Sequence, residues 1–334
     1  MPGVKAVFAM APEMVPFIFG ESEIRRLREL VELDPQRILA WEEGREPELG
    51  SLADVELLLS GWGAPFLGAP QLDRLPALRA VVHWGGGIGF LDQSARERGI
   101  EVSSARAANG IPVAEFTVAM ITLAAKDALW VSRQYCREQR HIDREAELPH
   151  TGLYGTTVGL VGASTIGMLV IEQLRDRDVE VLVYDPYLTE AAASSLRVEI
   201  VRDLEDLARR STVLSLHAPV TPQTEGMITR RVLAALPDGA ILVNTARGIL
   251  VDQDALVEEL AANRIRAILD VTEPEVLPEG HPLYSLPNVF LTPHLAGSTG
   301  VELRRLGHAA LAEVERYVAG VPFAHPFPFP DPST

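Results

Sequence analysis

The stretch TVGLVGASTIG, residues 157–167, decides how this chain is read. A run rich in apolar and β-branched residues passes directly into Gly162, Ala163, Ser164, Thr165, Ile166 and Gly167, and a helical pattern follows. That strand–turn–helix context is what a dinucleotide-binding loop requires. Gly162 is placed to make the tight turn, and Gly167 to let the helix pack closely on the strand. The free N–H groups at the helix start would then face a pyrophosphate. The middle glycine of the pattern is replaced by Ser164. Its Cβ fills space, but its hydroxyl is a donor suited to a phosphate oxygen. Taken alone, the same residues also describe a tight turn with no ligand.

Asp185 closes the next strand-like run, VEVLVYD, 23 residues after Gly162. This is the place and spacing of a carboxylate that accepts the ribose hydroxyls of a dinucleotide. Pro186, Tyr187 and Leu188 follow, with no Arg or Lys among them. A 2′-phosphate would meet Asp185 charge against charge, so NAD is expected rather than NADP. The other reading of Asp185 is an aspartate that opens an Asp-Pro turn.

Outward from this loop, βα units recur. Strands are expected at 157–161, 179–184, 212–216, 240–243, 265–270 and 289–291, with helices at 203–210 and 252–262 among the connections. Before the loop, strands are expected at 4–10, 55–59, 78–83 and 100–103. A helix at 21–33 would carry Ser22 as its N-cap. Strands separated by helices argue for layered α/β structure with parallel sheets. The segment 112–138, PVAEFTVAMITLAAKDALWVSRQYCRE, reads as one long helix whose first half is apolar on nearly every face. Such a helix is buried, either in a core or at a subunit interface. A final helix at 299–319 is expected to return to the first part of the chain. The closing HPFPFPDPST carries too many prolines for regular structure.

With 334 residues, the chain exceeds one ordinary core of ~100–200 residues, and two domains are expected. Its net charge of −16, with no basic stripe, repels phosphate backbones and argues against nucleic acid as a partner. Cys136 is the sole cysteine, so an intrachain disulfide is excluded and no metal cluster is expected. That usage fits a reducing cytoplasm. The N-terminal MPGVKAVFAMAPEMVPF lacks the layout of a signal peptide, and no apolar run is expected to reach the ~20 residues of a membrane span.

Three polar residues follow apolar strand runs in the second half: Arg247 in LVNTARGILVD, Glu275 in LDVTEPE and His294 in FLTPHLAGST. Strand ends on one rim of a parallel sheet are where α/β folds bind ligands. Singly, each also reads as a surface ion pair, a solvated turn or a structural histidine. Together with TVGLVGASTIG and the run VLSLHAPVTPQTEGMI, they resemble the D-isomer-specific 2-hydroxyacid dehydrogenase family. The resemblance covers nearly the whole chain and is weaker in the first hundred residues, where VVHWGGGIGFLD and GIPVAEFT look like family segments.

The resemblance implies two Rossmann-like doubly wound domains: a split substrate domain, 1–106 plus 297–334, and a continuous NAD-binding domain, 107–296. It implies a catalytic cleft between them and hydride exchange between a small 2-hydroxy acid and its 2-oxo acid. By position, Arg247 would bind the substrate carboxylate and carbonyl oxygen, and His294 would be the acid and base. Glu275 would fix the tautomer of His294 and favour its protonated ring. Gly86 and Gly87, beside Gly85, match the loop whose backbone N–H groups hold the substrate carboxylate, although a plain glycine-rich turn has the same sequence. Thr165 and Ile166 match the pyrophosphate turn, while Ala218, Pro219 and Thr224 line up with cofactor contacts. Asp270 matches the residue that bonds the nicotinamide carboxamide, with Thr245 and Ala246 beside it. A structural role for a buried aspartate at that strand end is the alternative.

Several positions depart from the family pattern. Thr165 stands where many members carry arginine, Gly89 where an acidic residue is common, and NRIRAILDV is one residue short. The shortening raises the expectation of a shift between Arg247 and the pair Asp270 and Glu275. The apolar helix at 112–138 is read as crossing from the first domain into the second and helping to form a homodimer, the alternative being a central core helix of a monomer. An alternative to an enzyme is an NAD(H)-responsive corepressor-like binding protein with little turnover. Within enzymes, the family's formate dehydrogenases carry glutamine in place of Glu275, and phosphoglycerate oxidation stays open.

Overall fold

The computed structural model describes residues 3–39 and 52–327. The chain divides into two compact units, residues 1–109 with 298–334 and residues 110–297. From residue 328 on, the expected irregular tail lies outside the described residues.

The first unit is built on a parallel sheet of five strands: β1 (Lys5–Ala9), β2 (Glu32–Leu39), β3 (Leu57–Ser60), β4 (Ala80–His83) and β5 (Glu101–Ser104), in the order β2-β1-β3-β4-β5. Every residue of β3 and β4 is buried, which demands cover on both faces. Because side chains alternate across a strand, Phe8, Leu57, Leu59 and Val82 face one core, closed by Leu27 of helix Glu21–Leu30 and by Leu306 and Val314 of helix Leu303–Val318. Val7, Leu58 and Val81 face the other, with Leu72 and Ala95. The last helix thus returns to the first sheet as expected. Beyond it, the chain runs antiparallel to β5: Ser104 N–H donates to the His325 carbonyl (3.1 Å) and Phe327 N–H to that of Val102 (2.7 Å). The buried Glu313 carboxylate accepts from the N–H groups of Ala324 and His325, at 3.0 and 2.9 Å, and pins that segment.

The second unit holds seven parallel strands: β6 (Thr156–Val161), β7 (Val179–Tyr184), β8 (Glu199–Ile200), β9 (Val213–Leu216), β10 (Ile241–Asn244), β11 (Arg266–Leu269) and β12 (Val289–Leu291), in the order β12-β11-β10-β9-β6-β7-β8. The chain enters at the centre on β6, winds out through β7 and β8, then resumes at β9 on the other side. The loops after β6 and β9 therefore diverge, and that switch point is where such sheets bind ligands. One face is covered by helix Thr165–Leu174 and by Ala114, Val118 and Ile121 of helix Arg106–Ala125. Leu207, Leu233 and Leu256 cover the other.

Four expectations need correction. The helix expected at 112–138 is two helices, Arg106–Ala125 and Ala128–Glu138, and Pro112 lies inside the first. The break is at Asp127, which takes a left-handed conformation (φ 58°) and pairs its carboxylate with Arg266 of β11. Ser22 is not the N-cap of its helix. Gly20 is, because Glu23 reaches back to accept from Gly20 N–H at 2.9 Å; Ser22 instead donates to Glu23. That helix also stops at Leu30, and the following residues form β2. Finally, helix Arg106–Ala125 does have the length and hydropathy of a membrane span. Half of its residues are buried, however, several of them against β6 and β10 residues in the core of the second unit.

Candidate active site

Gly162 leaves β6 with φ 100°, and its N–H donates to the Tyr184 carbonyl at 2.8 Å. A Cβ there would lie 2.7 Å from the Ala218 nitrogen, on the loop after β9. A Cβ on Gly167 would lie 2.2 Å from the Gly162 carbonyl oxygen. Strand, loop and helix thus meet at distances that only glycine permits. The helix that follows begins at Thr165 with Ser164 as its N-cap residue. Its first-turn N–H groups, on Thr165, Ile166 and Gly167, have no acceptor among the described residues. A glycine-walled turn with unpaired N–H groups at a switch point fits the pyrophosphate of a dinucleotide.

Two side chains of this loop are engaged otherwise than their spacing suggests. The Ser164 hydroxyl donates to the His217 carbonyl (2.7 Å), tying the β6 loop to the β9 loop, rather than standing free as a phosphate donor. Asp185 accepts from Ala163 N–H (2.7 Å) through one oxygen and from Tyr187 and Leu188 N–H (2.8 and 3.1 Å) through the other. It therefore caps the turn after β7 and braces the glycine loop. A carboxylate has about four acceptor positions, so one remains for a ribose hydroxyl. His217, beneath this loop, is fully buried, and burial pushes its pKa down to about 4. Its Nε2 lies 3.0 Å from the Ser215 hydroxyl. Ala218 is buried in the floor, while Thr224 bonds the Pro219 carbonyl at 2.6 Å and closes the same loop.

Arg247 lies just beyond β10, and its position is set by residues that do no chemistry. Buried Asn244 clamps the turn at both ends: its Oδ1 accepts from Ala246 N–H (3.0 Å) and its Nδ2 donates to the Arg247 carbonyl (2.9 Å). Thr245 is held by Thr117 of the long helix, with 2.7 Å between hydroxyls. Arg247 is exposed and spends one N–H on the Ala246 carbonyl (2.6 Å); the rest of its fork has no acceptor among the described residues. At Gly248, a Cβ would stand 2.1 Å from the Thr272 carbonyl carbon. The absence of a side chain there brings the Arg247 turn against the backbone that leads to Glu275.

Asp270 organises the other wall. Its carboxylate, almost wholly buried, accepts from Thr292 Oγ1 (2.6 Å), Leu295 N–H (2.8 Å) and Ala296 N–H (2.9 Å). Its carbonyl accepts from His294 N–H at 2.9 Å. These bonds hold His294 in a left-handed conformation, φ 53°. The structural alternative for Asp270 is therefore observed, whatever else that residue binds. Strands β10 and β11 pair in unbroken register up to this residue: Asn244 stands opposite Leu269, and Asp270 N–H donates to the Asn244 carbonyl at 2.9 Å. Thr272 Oγ1 bonds the Pro274 and Glu275 carbonyls, at 2.8 and 3.0 Å, and shapes the turn carrying Glu275.

Glu275 Oε1 lies 2.8 Å from His294 Nδ1. The side chains are 68% and 39% exposed, so for stability this is a surface pair worth roughly 0–1 kcal/mol. Its chemical effect is orientation. With Nδ1–H donating to the carboxylate, Nε2 is left to exchange a proton with a ligand. Arg247 makes no hydrogen bond to either residue, and Gly86 and Gly87 belong to the first unit. Sequence reasoning missed Asn244 and Gly248. Asn244 had a usable signal, as a polar residue ending the apolar run ILVN.

Residues 118–296 match the family model described as "D-isomer specific 2-hydroxyacid dehydrogenase, NAD binding domain". The chain is 32% identical over 302 residues to a protein named D-3-phosphoglycerate dehydrogenase from Methanocaldococcus jannaschii, covering 90% of this chain and 56% of that one. It is 32% identical over 297 residues to one named glyoxylate reductase from Thermofilum pendens, covering 88% and 87%. A crystal structure of a protein from Thermus thermophilus superposes with a TM-score of 0.77 at 29% identity, over 97% of this chain and 100% of that one. The chain spans little more than half the length of the phosphoglycerate dehydrogenase relatives.

Proposed function

Because the chain belongs to the D-isomer-specific 2-hydroxyacid dehydrogenase family, with residues 118–296 as its NAD-binding domain, we propose that it is an NAD-dependent oxidoreductase interconverting a D-2-hydroxy acid and its 2-oxo acid. What carries the reading is the 2.8 Å pairing of Glu275 with His294 Nδ1, which leaves Nε2 to face a ligand.

In the direction of reduction, protonated His294 gives its Nε2 proton to the carbonyl oxygen as C2 becomes tetrahedral. In oxidation, the neutral ring takes the hydroxyl proton back. Glu275 keeps the ring turned and balances the imidazolium charge. Arg247 offers its unspent N–H groups to the substrate carboxylate and to the oxygen on which negative charge develops. Gly86 and Gly87 are proposed as further donors to the carboxylate. Bound nicotinamide supplies or takes the hydride. Toward that cofactor, the unpaired N–H groups of Thr165, Ile166 and Gly167 would hold the pyrophosphate. Asp185 has one acceptor position for the ribose, which favours NAD over its 2′-phosphorylated form. Ala218, Pro219, Thr224, Thr245, Ala246 and Asp270 complete the proposed cofactor contacts.

The same reading includes a cytoplasmic homodimer through the helices that span 112–138, where Leu123 and Tyr135 are exposed. The test of the activity is a panel of 2-oxo acids, namely glyoxylate, hydroxypyruvate, pyruvate, phenylpyruvate and phosphohydroxypyruvate. Each is offered with NADH and with NADPH while cofactor oxidation is followed. Turnover of at least one acid with NADH is expected, and turnover of none would remove the proposal.

A further inference from the structure

We propose that Ser104, a residue outside the reacting set, is the positioning residue that turns the glycine loop 85–87 into a carboxylate receptor. The inference rests on the 2-oxo acid reading for the identity of the anion and on the geometry of the first unit for everything else.

Ser60, His83 and Ser104 are the last residues of β3, β4 and β5, and they stand side by side in the sheet register. All three are buried. The Ser104 hydroxyl donates its proton to the carbonyls of Gly85 and Gly86, at 2.9 and 3.1 Å, and accepts from Arg106 N–H at 3.2 Å. In a trans peptide the C=O and the following N–H point in opposite directions. Drawing the Gly85 and Gly86 carbonyls down to Ser104 therefore turns the N–H groups of Gly86 and Gly87 up and away. Neither N–H has an acceptor among the described residues. A Cβ built on Gly86, Gly87 or Gly89 meets nothing within 4 Å, and Gly87 is exposed, so the loop borders open space. Two adjacent, outward, unpaired N–H groups form an anion-binding concavity.

The floor of this loop is His83. A Cβ on Gly85 would lie 2.5 Å from His83 Nε2, so the loop rests directly on the ring. That nitrogen is buried with no hydrogen-bond partner at full geometry among the described residues, although the Gly87 backbone faces the ring and partly offsets the effect of burial, while Nδ1 lies 3.0 Å from the Ser60 hydroxyl and Phe90 stacks on the ring at 5.1 Å. Burial holds the His83 pKa at about 4, so the support beneath the loop is neutral. The receptor's attraction then comes from oriented dipoles, and the Ser104 hydroxyl sets their direction.

The test uses oxalate, an unreactive dicarboxylate, with indole fluorescence as the readout, since Trp84 precedes the loop and packs edge-on against Trp62 at 4.8 Å. Titrations are run on the full chain and in an Arg247→Ala background that lacks the other anion donor. Ser104→Ala should weaken oxalate binding about tenfold, the loss of roughly one hydrogen bond. Ser104→Thr, which restores a hydroxyl, should recover affinity to within about threefold. With a turned-over oxo acid, Ser104→Ala should raise KM about tenfold with kcat and the KM for NADH nearly unchanged, a split that general loosening of the fold would not produce. Unaltered oxalate binding in Ser104→Ala, or no oxalate response in the parent chain, overturns the proposal. Oxalate binding that depends on Ser104 in a chain that reduces no oxo acid would instead sink the reaction and leave Ser104 standing.

Discussion

Substituting Gly248 by alanine tests whether close backbone packing aligns the two walls of the proposed active site. The added Cβ would stand 2.1 Å from the Thr272 carbonyl carbon, 2.3 Å from its oxygen and 2.6 Å from the Glu273 nitrogen, where ordinary contact begins near 3.4 Å. All three neighbours are backbone, so none can swing aside. The Arg247 turn and the segment leading to Glu275 must part by more than 1 Å. A misplacement of about 1 Å in a catalytic group lowers rates on the order of 100-fold, while overpacking of this kind destabilises by roughly 1–3 kcal/mol. The expected outcome is a folded Gly248→Ala variant with a Tm lowered by a few degrees, NADH affinity close to the parent's and kcat/KM down about 100-fold. The measurements are steady-state kinetics on the best acid of the panel, NADH titration and thermal melting. Gly248 has an ordinary backbone conformation, so only sterics are altered. A variant that keeps kcat/KM within about threefold would refute the reasoning.

Other outcomes follow from the same geometry. Arg247→Ala should nearly abolish turnover while NADH still binds, as followed by cofactor fluorescence; near-normal rates would dismiss Arg247 as the substrate's anchor. Asp185→Ser should relax the preference for NADH over NADPH and lower stability, because three N–H groups lose their acceptor. An unchanged cofactor ratio in steady-state assays would mean that another group reads the ribose. Acid should destabilise the fold through His83 and His217. Each is held at about 4 against an ordinary 6.5, so the unfolded chain binds more protons between those values. Stability is complete above pH 6.5 and falls as pH drops toward 4, by roughly 3 kcal/mol for each ring at most. Denaturant midpoints measured from pH 7 to 4 should fall less steeply in His217→Gln, and an equal slope would contradict the assignment.

The α/β class was legible because most strands are apolar runs punctuated by turns; Val179–Tyr184 inside the second sheet and Val289–Leu291 at its edge coincide with their expected limits. The two strands that escaped, β2 and β8, lie at sheet margins and lack an apolar run. An edge strand need not bury both faces. ELDPQRIL therefore shows no strand pattern, and Pro35 within it argued against one. The break at Asp127 was invisible for another reason: its partner Arg266 is 139 residues away, and local periodicity carries no trace of such a pair. At the candidate site, residues with reactive side chains stood out at strand ends, whereas those that act by holding backbone did not. Ser164 shows the limit most clearly. Its hydroxyl was matched to an anion on local pattern, yet it bonds the His217 carbonyl 53 residues on.

The segment laid along β5 has a bearing on solubility. An uncovered sheet margin is a template on which another chain can add itself. Here the Val102 carbonyl and the Ser104 N–H are already taken by Phe327 and His325. At the opposite margin β2 carries Pro35, which has no N–H to offer a newcomer. The first unit thus discourages runaway strand addition at both ends by unlike means, one a covering segment and the other a missing donor.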